Sequence, residues 1–432
     1  MATLKLINGN SRSGRKYLDR LVRRGEGMLD GKMLTKVERI IGRVRRGGDR
    51  ALVDAVKRFD GVAVKSIQDL RLTASVGEDN ALPAGFEQAL ERAISAVEAY
   101  HKLQVHEGFS VEEGGILWQE HRLPLRRVGV YVPGGRAAYP STAVMTVVPA
   151  LAAGVSEIAV ATPPAAWERN AALRHTLERL GVSEIWGMGG AHAVAALAYG
   201  TESLERVDKI VGPGNAFVTG AKKLVMGDVA IDSLAGPSEV VIGVGGEANP
   251  ECVAADLLAQ AEHDPLALSV LVTDNKALAK AVVKAVDRQL PDLPTRRVAK
   301  ESLSAQGGAV VVDDLEAILT WIDAIAPEHL QLMGTAEALA DRVRNAGATF
   351  VGEATPVVFG DYIAGPSHVL PTNGTARFAS ALGVEDFIRR SHVVRYSDGA
   401  SQRSAAAAAN LADVEGLYAH AAAARLRQDP SS

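Results

Sequence analysis

Gln260 and His263 stand three positions apart at the end of the apolar stretch VAADLLAQAEHD, where a helix would turn both side chains to one face. One amide oxygen and one imidazole nitrogen make half of a site for a borderline-hard metal ion, and the other half must come from elsewhere. Three further segments carry paired groups. APEHLQL at 326–332 sets Glu328 beside His329, two bases whose approach is constrained by Pro327. In a turn both can face one cavity; the alternative is a polar corner with a satisfied histidine. FGDYIAGPSHVLPT at 359–372 puts Asp361 and His368 on a loop bounded by Gly360, Gly365, Pro366 and Pro371. Constrained loops of this kind carry sites, and Asp361 has the chemistry to complete a metal shell. EGLYAH at 415–420 sets Glu415 and His420 five apart. On a straight helix that is about 140° around the axis, so both reach one ligand only near a helix end.

The composition bounds what such groups can serve. With 432 residues, 47% hydrophobic and 23% charged, and a net charge of −4, the chain has material for more than one core, and two domains are expected. Mild acidity and 5% aromatic residues argue against a nucleic-acid partner, which needs basic patches and stacking platforms. The local basic cluster of Arg43, Arg45, Arg46, Lys57 and Arg58 reads as a solvated helix face. The single cysteine, Cys252, excludes an intrachain disulfide, fits a reducing compartment and reads as a small core hydrophobe. No apolar run reaches the length of a bilayer span, and the N-terminus MATLKLINGN lacks a signal-peptide core, so no membrane partner and a cytoplasmic location are expected.

The elements that must hold these groups follow from periodicity. The first hundred residues are helical: Thr35 with Glu38 forms a capping box before Val37, Ile40, Ile41 and Val44, and Gly47 and Gly48 end that helix. Asp49 caps the next, and Pro83 opens one running to about Gln104. After a β-type passage from Ile116 to Val132, the short β-rich runs VGVYV, EIAVAT, EIWGMG, KIVG and VAID form one unit, separated by the helical stretches STAVMTVVPALAAG, WERNAALRHTLERLG (167–181), HAVAALAYG and AFVTGAKKLVMG. Beyond AGPSE the pattern restarts with EVVIGV, ALSVLVTD, AVVVDD, LQLMG and TFVGE, separated by helices expected at 251–263, 276–289, 315–325 and 336–346. The fold class is α/β: two Rossmann-like doubly wound units with N-terminal helices and a C-terminal helical tail. The expected division is an arm at 1–25, a larger α/β domain from 26–130 with 238–376, a second α/β domain at 131–237, and an alanine-rich tail at 377–432. That tail lacks the bulk for its own core and should pack on the main body or on a second subunit. AGPS occurs at 235–238 and again at 364–367, marking tight turns that present amides to a ligand or simply reverse the chain. No GxGxxG follows a strand; YVPGGRA and VGPGNAF follow strands and precede helices, where they could face a phosphate or serve as structural turns.

The strings YVPGG, GGAHAVAALAYG, GPGNAFV, AGPSE, QAEHDP, PEHL, GDYIAGPSHVLPT and EGLYAH, in this order over nearly the whole chain, closely resemble histidinol dehydrogenase. The resemblance implies oxidation of L-histidinol to L-histidine, the end of histidine biosynthesis, with two successive reductions of NAD+. It implies one Zn2+ per subunit on Gln260, His263, Asp361 and His420, and Glu328 and His329 as the acid/base pair. Substrate contacts would be Ser238, Gln260, His263, His329, Asp361, His368, Glu415 and His420. NAD+ contacts would be Tyr131, Asn215 and His192, the last standing where the family has a glutamine. A neutral imidazole cannot offer both the donor and the acceptor of a single amide. The resemblance also implies a homodimer in which the tail crosses over, so that Glu415 and His420 complete the partner's site. Histidinol has an imidazole and an amine to offer zinc, so the metal's expected work is to position the substrate. Two other readings remain: a relative oxidising a different small alcohol with NAD+, against which Glu415 and His420 speak, and a metal-dependent hydrolase, which the missing GxGxxG favours and the ordered motifs do not.

Overall fold

The computed structural model describes residues 3–73, 82–134 and 139–428; the YVPGGRA turn lies outside them from Gly135 to Ala138. The chain begins with strand β1 (Leu6–Asn8) and helix α1 (Arg12–Val22). Helix α2 (Gly31–Phe59) follows, then β2 (Arg71–Leu72) and α3 (Phe86–Lys102). The cap of α2 is Asp30, whose carboxylate accepts from Met33 N at 2.6 Å, and not the expected Thr35, whose hydroxyl donates to the Gly31 carbonyl inside the helix. At Gly48 (φ 50°) α2 kinks, and a Cβ there would meet the Glu202 carboxylate at 2.1 Å, so only glycine fits. Asp49 does not cap the second half. Its carboxylate accepts from the Ser203 hydroxyl and amide, because the 201–203 loop docks against the kink and outcompetes the local cap.

Strands β3 (Ser110–Glu113), β4 (Ile116–Pro124) and β5 (Arg127–Tyr131) lead into the first α/β unit. It continues through α4 (Pro140–Ala152), β6 (Glu157–Thr162), α5 (Pro164–Arg169), α6 (Ala171–Arg179), β7 (Glu184–Gly187), α7 (Gly190–Tyr199), β8 (Lys209–Val211), α8 (Ala216–Val225) and β9 (Ala230–Ile231). The helix expected over 167–181 is split at Asn170, whose side chain caps α6 by accepting from Leu173 N. The sheet order is β2-β7-β6-β5-β8-β9, parallel except for the β2 edge. Val128, Val130, Val160 and Val211 pack under α4 and α6, while Tyr131, Ala159 and Ala161 face α7, α8 and α2. α2 therefore packs with this unit although it precedes it by some seventy residues: its stripe of Val37, Ile41, Val44, Leu52 and Val56 is buried here.

The second unit runs through β10 (Glu239–Gly245), α9 (Pro250–Ala261), β11 (Leu268–Thr273), α10 (Lys276–Gln289), α11 (Arg296–Ala305), β12 (Gly308–Val311), α12 (Leu315–Ile325), β13 (His329–Gly334) and β14 (Ala348–Val351). Its six strands are all parallel in the order β1-β12-β11-β10-β13-β14. Val240, Ile242 and Val244 face α9, α10 and α11; Val241, Val270 and Leu332 face α1 and α12. Within residues 1–25, expected as an N-terminal arm, lie the edge strand β1 and the covering helix α1. α11 has no counterpart among the expected helices, and the helix expected over 336–346 is a 3₁₀ turn, Thr335–Arg342.

After α13 (Val357–Tyr362) the tail is not wholly helical. A 3₁₀ turn, Val384–Phe387, leads into strand β15 (Ile388–Tyr396), which pairs antiparallel with β4 along its length, from Ile388↔Pro124 to Tyr396↔Ile116. The cross-strand ladder overrides weak local preference. Helices α14 (Asp398–Val414) and α15 (Tyr418–Arg425) pack on each other through Ala409, Ala412 and Ala421. Leu411, Val414, Tyr418 and Leu426 remain exposed, Val414 at 88%. Among the described residues no helix is long and apolar enough to cross a membrane.

Candidate active site

Residues 232–238 run from the carboxyl end of β9 to the amino end of β10, so the carboxyl edge of one sheet is connected to the amino edge of the other. At that amino edge the register Val240↔His329 sets Ser238 and Glu239 beside Glu328 and His329. Ala326 takes a left-handed conformation (φ 49°) and Pro327 follows, so Glu328 leaves the turn and both side chains meet: His329 Nδ1 is 3.5 Å from Glu328 Oε2. Glu328 Oε2 accepts from Ser238 Oγ at 2.6 Å and from Glu239 N at 2.8 Å. His329 Nδ1 lies 2.9 Å from the Glu239 carbonyl, which only accepts, so Nδ1 carries a proton. Nε2 is left buried with no hydrogen-bond partner, 3.7 Å from Asp361 Oδ1.

Electrostatics follow from this packing. Burial opposes charge on His329, but the Glu328 carboxylate outweighs it, helped by Asp361 and the Glu239 carbonyl, and the pKa is raised to about 9. Burial likewise opposes charge on Glu328, and His329, Ser238 and the Glu239 amide overcome it, holding the carboxyl below its usual range. His368 donates from Nδ1 to the Asp361 carbonyl at 2.9 Å, and burial lowers its pKa.

The remaining residues arrive from α9, α13 and the tail. Gln260 is buried in the last turn of α9 and its Nε2 has no partner. His263 follows one turn on and is exposed. α13, which carries Asp361, packs against α9 and β13, and so brings that carboxylate to the same edge. Glu415 and His420 are elsewhere. Both are exposed and line a concavity with Leu411, Leu417 and Ala423 that contains no residue of the Gln260 and Asp361 cluster. Within one chain, among the described residues, no three His, Cys, Asp or Glu side chains gather as a metal-holding group.

Tyr131 at the end of β5 and Asn215 just after β8 flank the point where strand order reverses, the place where open α/β sheets take ligands. The Tyr131 hydroxyl accepts from Gly190 N at 3.1 Å, and burial pushes its pKa up to about 12, so it keeps its proton to donate. Asn215 Oδ1 caps α8 by accepting from Phe217 N and Val218 N. His192 is buried, its ring stacked on Phe59 with centroids 5.8 Å apart, and Nε2 lies 2.8 Å from Asp60 Oδ2. Only Nδ1 remains for a ligand. Asp60 also accepts from Gly189 N at 3.2 Å and so ties this turn to the end of α2. Cys252 is half-buried in the first turn of α9 and is not the core residue its apolar neighbours suggest; burial, then Glu353, raises its pKa.

Sequence reasoning passed over Glu239, Arg24 and Asp60. Glu239 is the last letter of AGPSE, a signal that was available; Arg24 and Asp60 act through partners far away in the chain and leave no local mark.

Comparison with known proteins shows the family. The family model described as histidinol dehydrogenase matches residues 23–428. Histidinol dehydrogenase from Synechococcus sp. is 46% identical over 398 residues, 91% of either chain, and that from Methylococcus capsulatus is 45% identical over 414 residues, 95% of either chain. A crystal structure of histidinol dehydrogenase from Elizabethkingia anophelis superposes with a TM-score of 0.89 at 31% identity, covering 99% of this chain and 98% of the other. The chain belongs to the histidinol dehydrogenase family and is an oxidoreductase of histidine biosynthesis with that family's activity.

Proposed function

We propose that the chain oxidises L-histidinol to L-histidine through the aldehyde, using two NAD+, one Zn2+ per site and the tail of a partner subunit. The observation that carries this reading is His329, whose Nδ1 is fixed by the Glu239 carbonyl while its buried Nε2 has no partner. Nε2 is therefore the ring atom free to exchange a proton with a substrate, and it acts as a base in the neutral form of the ring. The donor set also fits zinc: the side-chain amide of Gln260, whose oxygen is the ligating end, the imidazole of His263 and the carboxylate of Asp361, needing one more nitrogen that His420 of the partner subunit would bring. Exposed Leu411, Val414 and Tyr418 on α14 and α15 support a tail that seats on a second copy. Zn2+ held on that donor set would orient the substrate, and NAD+ would accept two electrons in each half-reaction.

In the first half-reaction His329 Nε2 takes the alcohol proton as the carbon is oxidised to the aldehyde. In the second, Glu328, oriented by Ser238 Oγ and Glu239 N, takes a proton from the water that adds to the aldehyde, and the hydrate is oxidised to the acid. Tyr131 and Asn215 hold the cofactor at the carboxyl edge of the first sheet, with His192 Nδ1 as the remaining donor or acceptor. NADH counted against consumed L-histidinol, beside simple amino alcohols and before and after chelation, tests the reading. Two NADH per histidinol, lost on chelation, is expected; one NADH with free aldehyde released, or a preference for another alcohol, overturns it.

A further inference from the structure

Glu239 is 2% exposed, yet it carries a carboxylate whose charge burial opposes and Arg24 supports. Its two oxygens accept from Arg24 Nε and Nη2 at 2.5 and 2.6 Å. Oε1 also accepts from Asn373 N at 2.9 Å, and Oε2 from Glu328 N at 3.2 Å. The backbone of the same residue holds the two catalytic side chains: its amide donates to the Glu328 carboxylate and its carbonyl accepts from His329 Nδ1. Arg24 in turn donates to the carbonyls of Leu21, Ile325 and Ala326 at 2.7, 2.9 and 3.3 Å. Ala326 is the left-handed residue two before Glu328, a conformation that persists only where its surroundings over-determine it. One ion pair thus ties the end of α1, the end of α12, the backbone of Glu328 and the loop after Thr372.

A pair this buried is a poor way to gain stability, since desolvation cancels much of the attraction and apolar side chains of similar volume commonly serve as well. Bidentate geometry is what it does supply, and only an arginine gives it. We propose that the Arg24–Glu239 pair positions Glu328 and His329, fixing the turn that delivers the carboxylate and the strand end that sets the imidazole. Arg24 and Glu239 are positioning residues; they act through the pair, and the inference rests on reading that pair as the acid/base groups.

The test is a double comparison in the full-length enzyme, loaded with zinc. Arg24→Met with Glu239→Gln removes both charges and retains the volume. Expected are a melting temperature near that of the unmodified chain, a KM for histidinol within about twofold, and a kcat lower by about 10²-fold, the scale of an ångström of misplacement. In a Glu328→Gln background the same two changes should cost clearly less than they do alone, because only the share acting through His329 remains. Equal losses in the two backgrounds, or a loss confined to melting temperature or KM, overturn the positioning role. If Glu328→Gln alone keeps the full rate, the acid/base reading fails and the inference with it; if Glu328→Gln slows the enzyme and the Arg24 and Glu239 changes do not, only the inference fails. Should the double variant not fold, Arg24→Lys keeps the charge without the fork and must show the same kcat loss at unchanged KM.

Discussion

The two parallel sheets use opposite edges. The first places Tyr131 and Asn215 at its carboxyl edge, where strands give way to helix N-termini and outward-pointing N–H groups suit a polyanionic cofactor. The second places Ser238, Glu239, Glu328 and His329 at its amino edge, where helices end. Gln260 and His263 sit at the C-terminus of α9, and Ala326 just past that of α12, so carbonyls and the negative ends of helix dipoles surround the site. That edge favours cations: a metal ion, an ammonium, an imidazolium. In the proposed reaction, one short connection, residues 232–238, serves a negatively charged cofactor on one side and a cationic substrate on the other.

His329→Asn should break the chemical edge most severely. A drop in kcat/KM of about 10²–10⁴-fold is expected, with cofactor affinity, measured by fluorescence titration, unchanged; if cofactor binding fell in step, the two edges would not be separable. The pH profile sharpens the same division. With the His329 pKa at about 9, its neutral, proton-accepting form grows as pH rises, so kcat/KM should climb about tenfold per unit below that pH and level off above it. In Glu328→Gln the largest influence raising that pKa is gone, and the rising limb should move to lower pH; a limb that stays in place assigns the titration to another group. Tyr131→Phe removes the acceptor of the Gly190 amide and a donor at the other edge, and should raise the KM for NAD+ roughly fivefold, about 1 kcal/mol, while histidinol affinity holds. The smallest effect belongs to His192→Gln. Losing the Asp60 contact and the Phe59 stack should lower stability by about 1 kcal/mol in a denaturant melt, with a change in NAD+ affinity of less than about threefold. A larger change would make the His192–Asp60 pair part of the cofactor site.

What the chain spells out locally was legible. EIAVAT is β6 residue for residue, and the helix expected at 276–289 is α10, because period-2 and period-3.6 patterns are written within ten or so positions. The paired groups were legible too: Glu328 with His329 and Asp361 with His368 each occupy one short segment, and constrained turns do bring them into contact. β15 was not, since IRRSHVVRY has no clear alternation and becomes a strand only against β4.

By itself the sequence determined the α/β class, the two alternating units, most element types and the short motifs that carry the reactive side chains, all of which rest on interactions within a few residues. Only the tertiary structure decided that α2 covers the first sheet, that residues 6–8 edge the second, and that Ser238 meets Glu328 across two strands. It alone shows that Arg24 anchors Glu239 from 215 positions away. Such contacts depend on which apolar faces bury one another and on which buried charges then find partners. Those are properties of the packed chain, and no window of sequence contains them.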